Sequence, residues 1–172
     1  MSVLSHQSIR SLLSGPNPLL SDYLDLDTQI QSNGFDLTLQ QIERFQSPAH
    51  VSIENTGRKL PVTEKFEFDD SGVAHLTPGP YLITLNEVVA LPTDIMALGK
   101  PRSSLLRSGV TINNAVWDAG YQGRSQALLV VYNPYGFSIA QNARVLQLIF
   151  MRLDTPTNAP YSGVYQKEHI SP

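Results

Sequence analysis

The chain has 172 residues, a formal net charge of -3, no cysteine and a charged fraction of only 16%, against about 25% in typical domains. The lack of cysteine excludes disulfides, thiolate zinc sites and a cysteine nucleophile, and the acidic balance argues against a nucleic-acid partner, which needs basic residues facing the phosphates. The low charge also favours a surface that is partly buried between subunits.

The sequence gives no sign of a membrane partner or of a protein-held metal centre. No apolar run approaches the ~20 residues that span a bilayer, and the N-terminus lacks the charged-then-apolar pattern of a signal sequence. The four histidines show no HExxH-like spacing. We therefore expect one soluble, cytoplasmic domain over residues 1–172.

The N-terminus predicts a short helix over residues 5–14. Ser5 can cap it, an apolar face includes Ile9 and Leu13, and Gly15 can end it just before a Pro-Asn-Pro turn.

From residue 34 onward the pattern becomes that of β-strands. Short runs of alternating apolar and polar side chains are separated by Gly, Pro and Asp turns at fairly regular spacing, which is typical of a sandwich or barrel. The last stretch, residues 154–172, is polar and rich in turn residues, which predicts a mobile arm. The sequence thus predicts an all-β fold with one short N-terminal helix.

Residues 99–109 place hydroxyl side chains beside two arginines, in the order Arg102, Ser103, Ser104, Arg107. Serine hydroxyls, backbone amides and guanidinium forks are what a phosphate chain requires. A helical turn that starts at Ser103 would add a favourable dipole effect of about 0.3–1 kcal/mol. The alternative is a capped short helix with two solvated arginines, and composition leaves both open.

The stretch NNAVWDAGYQGRS holds the chain's one tryptophan and places Asp118 three residues before Tyr121. An aromatic ring can carry a sugar or base, and a carboxylate beside it can act as a general base toward water. The glycines permit close backbone approach. The alternative is a β-turn in which Asp118 makes local hydrogen bonds, and the stretch taken alone favours that turn.

Two more polar features fall in the C-terminal third. Gln147 interrupts the apolar strand RVLQLIF, where its amide can either reach an anion or face solvent. Tyr165 and Gln166 lie in YSGVYQK, which can be a flap over a ligand or a disordered tail.

Each motif is modest alone, but their order is specific. The set resembles the superfamily of deoxyuridine triphosphatases (dUTPases) and deoxycytidine triphosphate (dCTP) deaminases over nearly the whole chain, through five motifs in sequence: GFDLTL, PRSSLLRSG, DAGYQG, RVLQLIF and YSGVYQ. The resemblance implies a distorted jelly-roll or β-barrel of the dUTPase-like β-clip type, assembled as a homotrimer with active sites at subunit boundaries. It also implies a deoxynucleoside triphosphate substrate with Mg²⁺, held by ligand phosphates and waters.

The resemblance also bears on the reaction. In the triphosphatase pattern an Asp three residues before the aromatic orients the attacking water, which gives that role to Asp118. The deaminase pattern needs a glutamate in the next strand, but Gln126, Leu128 and Val130 occupy the plausible positions. We therefore favour hydrolysis of dUTP to dUMP and pyrophosphate. The C-terminus is closer to the deaminase branch, so the chain resembles an archaeal type of dUTPase built on a deaminase-like chain.

Alternatives remain at this point: a deaminase, a bifunctional enzyme, or a non-catalytic nucleotide-binding trimer, which the intact Asp118 opposes. A carboxylate from elsewhere in the chain could also replace the missing glutamate. Asp36 fits a structural role better than a catalytic one, and Arg124 fits a solvated surface charge. By resemblance, the triphosphate would be held by Arg102, Ser103, Ser104, Arg107 and Gln147.

The resemblance assigns the nucleoside to a second group of residues. Tyr121 would pack on the deoxyribose, and backbone groups of Asn113 and Asn114 would recognise the uracil edge. Tyr165 and Gln166 would close over the bound ligand.

Overall fold

A computed structural model describes residues 2–170 of the chain. Across these residues the helices are α1 (His6–Leu13), α2 (Leu26–Gln29) and α3 (Ser103–Arg107), with a 3-10 turn at Asn55–Gly57. The strands are β1 (Ser2–Val3), β2 (Leu20–Ser21), β3 (Ile30–Gln31), β4 (Gly34–Phe45), β5 (Thr63–Phe66), β6 (Val73–Leu76), β7 (Gly79–Ala90), β8 (Ile95–Pro101), β9 (Val110–Asn113), β10 (Gln122–Val131), β11 (Phe137–Ala140) and β12 (Arg144–Arg152). The prediction of a mostly β fold is confirmed.

Helix α1 forms where the sequence predicts it. The Ser5 hydroxyl accepts a hydrogen bond from the Ser8 backbone N–H, which satisfies one of the free donors at the helix start. Ile9 and Leu13 are buried against the sheet. The predicted boundaries, residues 5–14, are correct to within one residue at each end.

The long strand β4 joins the two halves of the main sheet, whose order is β1-β12-β4-β7-β10-β9. The first part of β4 pairs with β12, and the second part pairs with β7 and β5. Both long pairings shift register near Thr38–Gln41. Because such irregularities bend a strand and increase its twist, the sheet curls around a continuous apolar core. Strands β6 and β11 form a separate two-stranded sheet.

A buried polar network holds β4 at this bend. The carboxylate of Glu87 in β7 is fully buried and accepts hydrogen bonds from Gln29 Nε2 (2.6 Å), Thr38 N (2.9 Å) and Thr38 Oγ1 (2.6 Å). Burial raises the pKa of Glu87, and these hydrogen bonds oppose the shift. The network fixes β4 at Thr38, two residues after Asp36 in the same strand.

The C-terminal stretch differs from the expected mobile arm. Tyr161 N–H donates to Ala119 O, and Lys167 N–H donates to Gln122 O, so residues 161–170 lie against the main sheet. The final two residues of the predicted arm, 171–172, lie outside the described part. The longest helix among residues 2–170 has eight residues, well short of a membrane span.

Candidate active site

A tight turn presents Asp118 at a cleft of about 230 Å³. The preceding Trp117 exchanges two backbone hydrogen bonds with Ala97 of β8, at 2.9 and 3.1 Å, and Tyr121 N–H donates to Asp118 O at 3.1 Å. Gly120 has φ +89°, a conformation that residues with a Cβ rarely adopt. The turn is therefore fixed on both sides while the Asp118 side chain stays exposed.

A directed hydrogen-bond chain holds the ring of Tyr121. Trp117 Nε1 is 2.6 Å from Ser125 Oγ, Ser125 Oγ is 3.0 Å from Tyr121 Oη, and Tyr121 Oη is 2.8 Å from Glu168 Oε1. An indole can only donate and a carboxylate can only accept. Ser125 therefore accepts from Trp117 and donates to Tyr121, which donates to Glu168. Burial raises the pKa of Tyr121, so its hydroxyl keeps this proton.

Glu168 is a site residue that sequence reasoning missed. Its carboxyl group lies in the same cleft as Asp118. Partial burial raises the pKa of Glu168, while the Tyr121 hydrogen bond and the nearby His169 lower it. The contact joins residues 47 positions apart, and no local pattern signals such a pairing.

The predicted closure residues lie beside the Asp118 turn. Tyr165 lines the cleft together with Asp118 and Tyr121. The side-chain amide of Gln166 accepts from the backbone N–H of Gln122 and donates to the backbone carbonyl of Gly120, both at 2.9 Å. The structure thus brings Tyr165 and Gln166 to the turn from within the same chain.

The candidate phosphate motif forms helix α3. Arg102 is its N-cap residue, and the side chains of Ser103, Ser104 and Arg107 are exposed. Arg102 Nε lies 3.0 Å from the buried Asp36 Oδ2. The hydroxyls are therefore presented to solvent, while the carboxylate orients the Arg102 guanidinium.

Asp36 is shared by a second arginine that the sequence did not suggest. Arg144 Nη1 lies 3.4 Å from the same Asp36 oxygen. Burial raises the pKa of Asp36, and the positive charges of Arg102 and Arg144 lower it. Gln147 of β12 stands opposite Asp36 on one side and Lys100 on the other. Gln147 therefore stands directly across the strand pair from Asp36, the residue that pairs with Arg102.

The two candidate nucleoside residues border a different cleft, of about 510 Å³. Asn113 and Asn114 line it together with Lys100 and Leu106. It meets the Asp118 cleft at Ala115, which borders both. The candidate phosphate residues Ser103, Ser104 and Arg107 do not line the Asp118 cleft. Within one chain, therefore, the closure residues lie at the Asp118 turn, whereas the candidate phosphate residues of α3 lie away from its cleft.

Arg124 is not the solvated surface charge that the sequence suggested. Its side chain is only 16% exposed, and its Nη2 lies 2.7 Å from Asp22 Oδ2. Its Nε donates to His169 O at 3.3 Å. The expectation was wrong because β10 begins beside the C-terminal segment, which covers Arg124.

The strand after the turn carries no acid, but a carboxylate from β4 reaches its half-buried face. Gln126 Nε2 lies 3.2 Å from Glu43 Oε2. Leu128 and Val130 continue the same half-buried face. Glu43, Gln126 and Glu168 border a cleft of about 970 Å³ next to the Asp118 cleft, so the missing strand glutamate does not leave this region free of acids.

Comparisons with known proteins identify the family to which the chain is similar. Residues 3–153 match the model of a family described as dCTP deaminase-like. The chain is 45% identical over 170 residues to the probable deoxyuridine 5'-triphosphate nucleotidohydrolase of Methanococcoides burtonii, covering 99% of this chain and 100% of the relative. It is 48% identical over 170 residues to the protein of the same name from Archaeoglobus fulgidus, covering 99% of each.

A solved structure shares the fold. The 2'-deoxycytidine 5'-triphosphate deaminase of Agrobacterium tumefaciens superposes with a TM-score of 0.66 at 24% identity, covering 88% of this chain. The match covers 48% of that protein, so this chain spans about half its length.

Proposed function

The chain belongs to the dCTP deaminase-like family, and we propose that it hydrolyses deoxyuridine triphosphate to the monophosphate and pyrophosphate. Relatives of 45% and 48% identity over nearly the full length carry the name of that activity. The observation that carries the proposal is the pairing of an exposed Asp118 with the buried ring of Tyr121 in one cleft.

Asp118 is the general base of the proposed reaction. The products require cleavage of the anhydride between the α- and β-phosphates, with water supplying the new oxygen. The Asp118 carboxylate accepts a proton from that water, and such assistance contributes typically 10²–10⁴-fold in rate. Because backbone hydrogen bonds of Trp117 and Tyr121 fix the turn, the backbone of Asp118 is already positioned at the cleft before substrate binds.

Residues around α3 bind the triphosphate in this proposal. Ser103 and Ser104 offer exposed hydroxyls, and Arg107 offers an exposed guanidinium. Arg102, oriented by Asp36, and Gln147 supply further donors. Tyr121 packs on the deoxyribose, with its ring fixed by the hydrogen-bond chain to Glu168. Backbone groups of the two candidate base-recognition residues contact uracil: Asn113 and Asn114.

The donor set fits a magnesium ion held mainly by the substrate. Within residues 2–170 no three His, Asp or Glu side chains converge on one point. Magnesium in nucleotide sites is held largely by phosphate oxygens and waters, so the proposed ion needs no dedicated set of protein ligands. When bound, the ion neutralises charge on the phosphate oxygens.

A homotrimer of distorted jelly-roll subunits completes the proposed site. Ser103, Ser104 and Arg107 do not line the Asp118 cleft of their own chain, which supports a second copy supplying the phosphate motif. Large apolar side chains are exposed near α3 and near the Asp118 turn: Leu106 (56%), Val116 (48%) and Tyr132 (70%). An interface would bury them, in keeping with the low charged fraction of 16%.

Deamination of dCTP is the second candidate, favoured by one observation. Glu168 is a partly buried carboxyl group with a raised pKa in the Asp118 cleft, and a raised pKa suits a group that both accepts and returns a proton. Incubation with dUTP, dCTP and magnesium separates the candidates, since hydrolysis of dUTP releases pyrophosphate and deamination of dCTP releases ammonia.

A further inference from the structure

The C-terminal segment, residues 166–169, runs along the start of β10 and bonds to it through the backbone. Lys167 N–H donates to Gln122 O at 2.7 Å, and Arg124 N–H donates to Glu168 O at 2.9 Å. The segment therefore adds to the sheet edge as a short strand would. Main-chain hydrogen bonds of this kind depend little on side-chain identity, so they position the segment without making its docking specific.

The side chain of Arg124 supplies a specific contact to the docked segment. Its Nε donates to His169 O at 3.3 Å, while Nη2 pairs with Asp22 Oδ2 at 2.7 Å. The guanidinium thus bridges the C-terminal segment and the loop after β2. The Arg124 side chain is only 16% exposed and that of Asp22 is 55% exposed, so solvent screens the pair in part.

Asp22 is placed for this contact by an unusual backbone. Its φ is 58°, in the left-handed region where Asp and Asn are enriched over other residues with a Cβ. Strand β2, directly before it, is fixed to β7. The Asp22 carboxylate therefore contacts the Arg124 guanidinium from a segment that the main sheet holds in place.

We propose that Arg124 and Asp22 are positioning residues that hold the C-terminal segment closed across the site of its own chain. The segment carries Glu168, which accepts from Tyr121 Oη, and it directly follows Tyr165, which lines the Asp118 cleft. Loss of the clamp releases both residues from the cleft. The effect on substrate affinity rests on the proposed dUTP hydrolysis; the docking of the segment does not.

Trypsin cleavage after Lys167 measures the docking directly. Cleavage there needs the segment to detach, because Lys167 N–H is bonded to Gln122 O, and the release of residues 168–172 is followed by mass spectrometry without nucleotide. For Arg124→Ala we expect cleavage about tenfold faster, the equivalent of one lost hydrogen bond to a charged group. Arg124→Lys keeps the charge but loses the planar fork, and is expected to fall between Arg124→Ala and the parent.

Asp22→Asn is the second variant, because Asn tolerates the left-handed backbone while removing the charge. We expect about threefold faster cleavage, in line with a partly exposed ion pair. The control is Arg10→Ala, which breaks the exposed pair with Asp27 in another part of the chain and leaves cleavage after Lys167 unchanged. Thermal unfolding of each variant checks that the body stays folded.

Kinetics with dUTP complete the test. We expect KM to rise about tenfold in Arg124→Ala, with a smaller change in kcat, because closure stabilises bound substrate. Unchanged cleavage in both variants would overturn the clamp, and faster cleavage with an unchanged KM would overturn its role in closure. A parent with no dUTP turnover would refute the proposed function, while the cleavage rates would still decide whether the clamp exists.

Discussion

The hydroxyl group of Tyr121 donates a 2.8 Å hydrogen bond to the carboxylate of Glu168. This contact joins the end of the chain to the turn that carries Asp118. It also ends the hydrogen-bond chain that begins at Trp117, so the ring proposed to carry the deoxyribose is oriented from both sides.

We expect Asp118→Asn to lower kcat for dUTP by about 10²–10⁴-fold, because the amide cannot accept the proton of the attacking water. KM should stay within about threefold, since the residue is proposed to act on water rather than to bind the nucleotide. Steady-state pyrophosphate release measures both constants. Asp154→Asn, at another exposed aspartate, is the matched control. An Asp118→Asn enzyme within twofold of the parent would refute the assignment.

Mixed oligomers test whether two chains share a site. Asp118→Asn and the double variant Ser104→Ala/Arg107→Ala should each be nearly inactive. Refolded together in equal amounts, they should recover about a quarter of the parental activity. One site in four then combines an intact Asp118 from one chain with an intact phosphate motif from its neighbour. Light scattering reports the assembly state. Inactive mixtures that form normal trimers would mean that each site is complete within one chain.

Tyr121→Phe should couple strongly to Glu168→Gln. The phenylalanine removes the hydroxyl that Glu168 and Ser125 both contact, and a buried group left without its partner costs about 1–3 kcal/mol. In a double-mutant cycle of urea unfolding we expect a coupling energy of about 0.5–3 kcal/mol. Additive effects would show that the Tyr121–Glu168 contact contributes nothing to the folded state.

The buried Glu87 predicts a pH-dependent stability. Burial raises the folded-state pKa of Glu87, so the folded chain holds this proton more tightly than the unfolded chain. Its stabilisation is full below the unfolded pKa, about 4.3, and is lost as pH rises through the raised folded value. The stability advantage of the parent over Glu87→Gln should therefore shrink with rising pH.

Urea unfolding at several pH values measures that difference for Glu87→Gln. The exposed Glu54→Gln is the control and should give a difference that is flat with pH. A parent advantage that grows with pH would show that the folded state favours the ionised carboxylate, contrary to the direction given by burial.

Local patterns predicted the secondary structure and several of the site residues. Ser5 and the apolar face of α1 gave the first helix, since caps and periodicity are local signals. Asp118, Tyr121 and Tyr165 could be proposed from motif order, and the structure brings these three into one cleft. The roles given to them remain predictions.

Contacts between residues far apart in the chain could not be predicted from the sequence. Glu168, Arg144 and the Asp22–Arg124 pair depend on register and on where the C-terminus docks, which no local spacing encodes. Arg124 was misread for that reason, because its cover comes from residues more than 40 positions away.

The proposed activity of this chain is cleavage of the triphosphate of dUTP. Its most direct test is a screen of the deoxynucleoside triphosphates with magnesium that assays pyrophosphate and ammonia in the same samples. Pyrophosphate release from dUTP without ammonia from dCTP is the predicted result. Ammonia from dCTP with no pyrophosphate from dUTP would contradict the claim.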